Sequence, residues 1–84
     1  GLKRFMFYVY ILKSLKDNGF YIGQSRNLER RLKEHNNGFV SSTKNRRPLV
    51  LVKTMFAESC EEALILEKEY KKGYKREELK REFE

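Results

Sequence analysis

The sequence predicts a small α+β fold with three strands and three helices in the order β-β-α-β-α-α. Three features point to it. The first is an eight-residue apolar run from Phe5 to Leu12. The second is a turn at Asp17-Asn18-Gly19 that joins this run to a second, shorter one. The third is a pair of capped segments with helical periodicity, near 28–36 and 59–73.

Taken in order, residues 5–13 are aromatic and β-branched on both parities, as in a central strand covered on both faces. Ser14 to Gly19 supplies a turn, because Asp17, Asn18 and Gly19 tolerate positive φ. Phe20 to Gly23 is a second strand, closing a hairpin over residues 5–24. Asn27 is an N-cap, Glu29 sits in the first turn and Gly38 lies just past the end, which sets a helix at 28–36. Residues 37–48 form a polar, basic loop. Pro48 opens a third strand, Leu49 to Phe56, where a missing N–H matters least. Ser59 or Glu58 starts a helix of about 14 residues that ends near Gly73, and a charged helix covers 75–82.

Eighty-four residues make one domain, 1–84, with a small core, since a chain this short buries only roughly 60–65% of its unfolded surface. The longest apolar run is far below the roughly 18 residues of a membrane span. Lys3 and Arg4 imitate the start of a secretory signal, but no small-residue cleavage site follows, so a cytoplasmic protein is expected. One cysteine, Cys60, excludes an internal disulfide and a cysteine-based zinc site, and one histidine, His35, excludes a histidine-rich metal site. Cys60 reads as a small core residue rather than a nucleophile.

The net charge of +7 is unevenly spread: residues 1–57 hold 12 basic and three acidic side chains, residues 58–84 seven and nine. A one-sided positive field favours polyanions, because neutralising phosphates releases counterions.

Two helices carry charge against their own apolar stripes. On the first, Leu28 and Leu32 centre the buried face at about 100° per residue, Arg31 and His35 share one edge, and Arg30 faces water. Arg31 either lays its stem along apolar surface or works at a site. On the second, Ala63, Leu66 and Tyr70 define the stripe, and Glu67 lies only about 60° from its centre. A carboxylate there requires a partner, either a structural salt bridge such as one with Arg31 or a cation. On the first two strands, Tyr8 and Tyr10 share a face, as do Tyr21 and Gly23. Strand tyrosines usually pack with the hydroxyl satisfied at an edge, while Gly23 leaves room for a ligand beside Tyr21.

Tyr8-Val9-Tyr10, ten further residues, Tyr21-Ile22-Gly23, and then Asn27 to Asn36 together resemble the GIY-YIG nuclease family. Of the first triplet only Tyr10 matches in full, with Val9 a conservative variant and Tyr8 in place of glycine; the second triplet matches throughout. Ala63 to Lys68 looks like the family's helix bearing the metal-binding glutamate, and Lys72 to Arg76 like the tail of small stand-alone bacterial members. The similarity covers about residues 5–80. It implies a three-stranded antiparallel sheet flanked by helices and hydrolysis of phosphodiester bonds with one divalent ion, Mg²⁺ or Mn²⁺.

Through the resemblance, Tyr10 and Tyr21 stand at the two motif tyrosines and Arg31 at the catalytic arginine. Glu67 stands at the sole metal-ligating acid, and His35 at a position the family fills with His or Tyr. Gly23 stands at the glycine that lets backbone approach the scissile phosphate, and Gln24 where some repair nucleases of the family carry lysine. The implied mechanism has Tyr10 or Tyr21 activate water as base or proton relay, its phenol lowered by Arg31 or the metal, and Arg31 stabilise the pentacovalent phosphate. One carboxylate suffices for Mg²⁺, which keeps most of its waters.

The leading reading is therefore a metal-dependent endonuclease acting on DNA, with structured or branched DNA in repair or recombination as its setting. The alternative is a nucleic-acid-binding module that keeps the fold but cleaves little on its own. A protein-interaction adaptor is a third. Backbone affinity would come from Lys13, Lys16, Arg26, Arg30, Lys44, Arg46 and Arg47, and a protein partner would supply substrate specificity.

Overall fold

A computed structural model describes residues 6–83; Lys3, Arg4 and Phe5, on which the signal-like segment and the start of the first strand were read, lie outside them. The elements are β1 (Phe7–Ser14), β2 (Phe20–Ser25), α1 (Leu28–Asn36), β3 (Leu49–Ala57), α2 (Cys60–Tyr70) and α3 (Gly73–Phe83), with one 3-10 turn at Lys44–Arg46. The order β-β-α-β-α-α is the expected one. The three strands form an antiparallel sheet in the order β2-β1-β3.

β1 is central, and its apolar run explains why. Val9, Tyr10, Ile11 and Leu12 are all buried, two on each face. Val9 and Ile11 join Ile22, Ala57, Ala63 and Leu79 beneath α2 and α3. Tyr10 and Leu12 join Leu49, with Tyr21, Leu28 and Leu32 packed on them beneath α1. The result is three layers: α1, the sheet, and the α2–α3 pair.

β3 pairs Ile11 with Lys53 and Leu12 with Leu51, so Val52 is an extra residue, a β-bulge. Because side chains alternate faces, one extra residue reverses the facing of everything before it. Leu49 is thereby delivered to the α1 layer, while Val52 and Met55 pack in the other.

The caps follow the expected residues. The Asn27 side chain accepts from the Arg30 amide at 3.1 Å, and the Ser59 hydroxyl from the Glu62 amide at 3.1 Å. α2 nevertheless ends at Tyr70, short of Gly73, because tight i→i+3 bonds from Lys71 and Lys72 turn the chain. Gly73 opens α3 instead of closing α2. α3 then buries Leu79, and Lys13 Nζ donates to its terminal Phe83 carbonyl at 2.6 Å. Cys60 is exposed, not in the core: it is the first residue of α2, a turn before the Ala63–Leu66–Tyr70 stripe makes contact.

The loop 37–48 is held at several points. Buried Ser14 donates its hydroxyl to the Arg46 carbonyl at 2.6 Å and accepts from the Lys16 and Asp17 amides, both at 3.2 Å. Leu15 N–H donates to the Pro48 carbonyl at 2.9 Å. The Asn36 side chain clasps Leu49, donating to its carbonyl at 3.2 Å and accepting from its amide at 3.1 Å. In the hairpin turn, Asn18 takes the positive φ, at 61°. Ser14→Ala leaves three backbone groups short of their partner and is expected to destabilise the fold by about 1–3 kcal/mol, read as a lower urea midpoint. An unchanged midpoint would show that this tether contributes nothing.

Candidate active site

Tyr10 opposes Gly23 on β2 and Thr54 on β3. Its ring lies across Gly23, so closely that a Cβ there would stand 2.6 Å from the Tyr10 hydroxyl and 3.0 Å from the Tyr21 ring. Glycine is required here for space, but the room expected for a ligand beside Tyr21 is taken by the Tyr10 ring, which opposes Gly23 in the sheet register. The rings of Tyr10, Tyr21 and His35 form one cluster, with centroids 6.4 Å apart for the tyrosines and 5.6 and 5.0 Å from each to His35.

α1 lies over this cluster through Leu28 and Leu32 and turns one edge toward Tyr10. Arg31 Nε donates to the Tyr10 hydroxyl at 3.4 Å. His35 Nε2 lies 2.9 Å from the same oxygen, and its Nδ1 lies 2.7 Å from Thr43 Oγ1. Arg31 is half-buried at 34% side-chain exposure whereas Arg30 stands in water at 78%, the division expected from the helix pattern.

Burial decides the protonation states. His35 is fully buried, and desolvation, aided by the Arg31 charge, holds its imidazole below the usual range and therefore neutral near pH 7. Tyr10 is pushed up by burial. The hydrogen bond and charge of Arg31 oppose this, and the Glu67 carboxylate adds to it. The expectation that Arg31 lowers the phenol thus holds for its own contribution and is outweighed by desolvation, so at rest Tyr10 is a neutral phenol.

Glu67 reaches the same strand from the opposite layer. Its side chain, 17% exposed, accepts from Gln24 Nε2 at 3.1 Å on one oxygen and from Lys71 Nζ at 3.1 Å on the other. Its ion-pair partner is therefore Lys71, and that of Arg31 is Glu34 at 3.8 Å. Gly23 and Gln24 are neighbours on β2: the Tyr10 hydroxyl lies over the first, and Glu67 is tethered to the second. Gln24, singled out for departing from lysine, thus holds the carboxylate. Among the described residues no group of three His, Cys, Asp or Glu side chains is placed to hold a metal. A lone carboxylate fits a hard divalent cation that completes its shell with water and phosphate oxygens, and Glu67 would hold it.

The basic residues separate into two kinds. Lys44 and Arg47 are exposed and, with Lys16 and Pro48, line a surface cavity of about 470 Å³. Arg26 is exposed, its guanidinium 4.9 Å over the Phe7 ring. Arg46 is committed elsewhere: its side chain is 27% exposed, and its Nε donates to Asp17 at 2.9 Å. The pairing holds the Asp17 carboxyl below the usual range. Thr43 and Lys71 were not singled out from sequence. Thr43 is one polar residue in a polar loop, whereas Lys71 is legible afterwards as the i+4 neighbour of Glu67.

A family model described as the GIY-YIG catalytic domain matches residues 6–81. The UPF0213 protein SH2523 of Staphylococcus haemolyticus is 43% identical over 74 residues, 87% of this chain and 89% of that one. The UPF0213 protein CPE1444 of Clostridium perfringens is 49% identical over 59 residues, 69% of this chain, and the match spans only 62% of that protein, less than two thirds of its length. The solution NMR structure of the UPF0213 protein BH0048 from Bacillus halodurans superposes with a TM-score of 0.55 at 37% identity, covering 93% of this chain and 85% of that one. A family model that spans residues 6–81, and relatives this similar over most of the length, show that the chain belongs to the GIY-YIG family.

Proposed function

We propose that this protein is a metal-dependent endonuclease that hydrolyses phosphodiester bonds in DNA, including the structured or branched DNA of repair and recombination. It would act in the cytoplasm, with a partner protein narrowing its substrates. Among the described residues no helix is long and apolar enough to cross a membrane. The observation that carries the proposal is the Tyr10 hydroxyl, held between Arg31 and His35 directly over Gly23, with Glu67 tethered one residue along the same strand.

In this mechanism Tyr10 passes its proton to the neutral His35 and takes one from the attacking water. The water oxygen forms the new P–O bond as the bond to the leaving oxygen breaks; the leaving oxygen takes a proton from solvent, and His35 gives its extra proton back to solvent to complete the cycle. Arg31, cationic throughout and 3.4 Å from the Tyr10 oxygen, steadies the phenolate and the charge that gathers on phosphorus. The bare backbone at Gly23 lets the Tyr10 hydroxyl reach its place, and Tyr21 packs against His35. A divalent ion on Glu67 would neutralise phosphate charge and stabilise the leaving oxygen. Exposed Arg26, Arg30, Lys44 and Arg47 would hold the sugar-phosphate backbone, as their charge suits shape rather than sequence.

The deciding test is cleavage of labelled duplex, flap, branched and single-stranded DNA with Mg²⁺, Mn²⁺ or EDTA. Products should require metal and fall about 100-fold or more in Arg31→Ala and in Glu67→Gln. Full Mg²⁺-dependent activity in Glu67→Gln would remove the one-carboxylate assignment. Tight, salt-sensitive binding without products would instead favour a binding module. Gly23→Ala should keep the fold yet lower kcat about 100-fold, by pushing Tyr10 off its position; near-normal turnover would show that the close approach is only packing. The cleavage rate should be level from neutral to mildly alkaline pH, because the Tyr10 proton passes to His35 within the site and burial keeps the phenol from losing it to solvent. An acid limb should appear only below the usual histidine value of about 6.5. A rate maximum at pH 5 would contradict the Tyr10–His35 pairing.

A further inference from the structure

We infer that Thr43 is a positioning residue that fixes His35 as its Nδ1–H tautomer, so that the Nε2 lone pair faces the Tyr10 hydroxyl. This deepens the proposed nuclease function and rests on it for its catalytic meaning, although the tautomer itself does not.

The argument follows the direction of each hydrogen bond. Arg31 has only donors, so its contact with Tyr10 makes the phenol oxygen an acceptor. The Tyr10 proton then has one described destination, His35 Nε2 at 2.9 Å. A nitrogen that accepts carries no proton, so in neutral imidazole the proton is on Nδ1. Nδ1–H in turn donates to Thr43 Oγ1 at 2.7 Å. The Thr43 hydroxyl proton goes to the Val40 carbonyl at 3.4 Å, a group that can only accept. The chain thus begins at a cation and ends at a carbonyl, and only one polarity satisfies every member. In the reverse polarity the Tyr10 proton, in a buried residue, has no acceptor among the described contacts, at a cost of about 1–3 kcal/mol.

Thr43 suits this part because it is fully buried and cannot wander. The loop around it is tied to the sheet by Ser14 to the Arg46 carbonyl, by Leu15 to Pro48, and by Asn36 to Leu49. Unconstrained histidine prefers its proton on Nε2; the Tyr10 hydroxyl on one side and the Thr43 oxygen on the other together reverse that choice. When Tyr10 transfers its proton, Nε2 receives it and Nδ1–H still donates to Thr43. The imidazolium that forms is therefore already solvated by a fixed hydroxyl. With the other tautomer, Nε2 already bears a proton and the transfer has nowhere to go.

The test uses the full chain with ¹⁵N-labelled histidine. His35 is the only histidine, so each ring-nitrogen resonance is assigned without ambiguity. Long-range ¹H–¹⁵N correlation near pH 7 should show a protonated Nδ1 and a bare Nε2. Thr43→Ser keeps the hydroxyl and should keep the pattern and most of the cleavage. Thr43→Val should shift the proton toward Nε2 and lower kcat about tenfold or more, with KM little changed. A wild-type spectrum with Nε2 protonated, or a folded Thr43→Val with the wild-type pattern, would overturn the inference. If Thr43→Val does not fold, the wild-type and Thr43→Ser spectra decide. If the wild type cleaves no DNA, the nuclease reading fails, and with it the relay role, while the spectrum still decides the tautomer.

Discussion

The site depends on one missing side chain. Tyr10 lies in the middle of the central strand, and its ring can cross the neighbouring strand only because Gly23 offers bare backbone there. That crossing carries the hydroxyl to where Arg31 and His35 meet it, and leaves it beside the residue that holds Glu67. A side chain at position 23 would block the crossing and separate groups that arrive from β1, α1 and α2. The layers therefore need only be correct in outline, since one close contact sets the fine geometry.

Much of this was legible in the residues. The two-parity apolar run placed β1 at the centre, because only a strand covered on both faces can afford it. Asn27 and Ser59 marked their helix starts, because a side-chain oxygen at the N-cap satisfies an amide no helix carbonyl can reach. Helical phase separated Arg31 from Arg30, and Glu67 from its acidic neighbours. What was not legible depends on distance along the chain. The end of α2 is set by a turn and by packing of α3, not by Gly73 itself. Arg46 reads as a surface cation until Asp17, 29 residues away, is seen to hold it. Thr43 carries no periodic or motif signal, and its partner His35 lies across the fold of a loop. A loop hides such contacts because its residues follow no repeating phase.

Electrostatics in the site are governed more by burial than by pairing. A guanidinium beside a phenol would in water favour the phenolate, yet desolvation of Tyr10 prevails and keeps it neutral. The same burial keeps His35 neutral. A neutral donor beside a neutral acceptor stores no charge at rest in a dry pocket.

The bulge at Val52 has a consequence for how copies of the protein meet. β3 lies at the sheet's edge, and an unpaired edge is a template on which another strand can add. Its apolar residues, Val50, Leu51 and Phe56 among them, are exposed and would otherwise encourage such growth. The extra residue breaks the even spacing of outward-facing amides and carbonyls and twists the strand locally. A single inserted residue thus serves twice: it lets one strand fill two layers, and it spoils the regular ladder through which the sheet would extend from one molecule into the next.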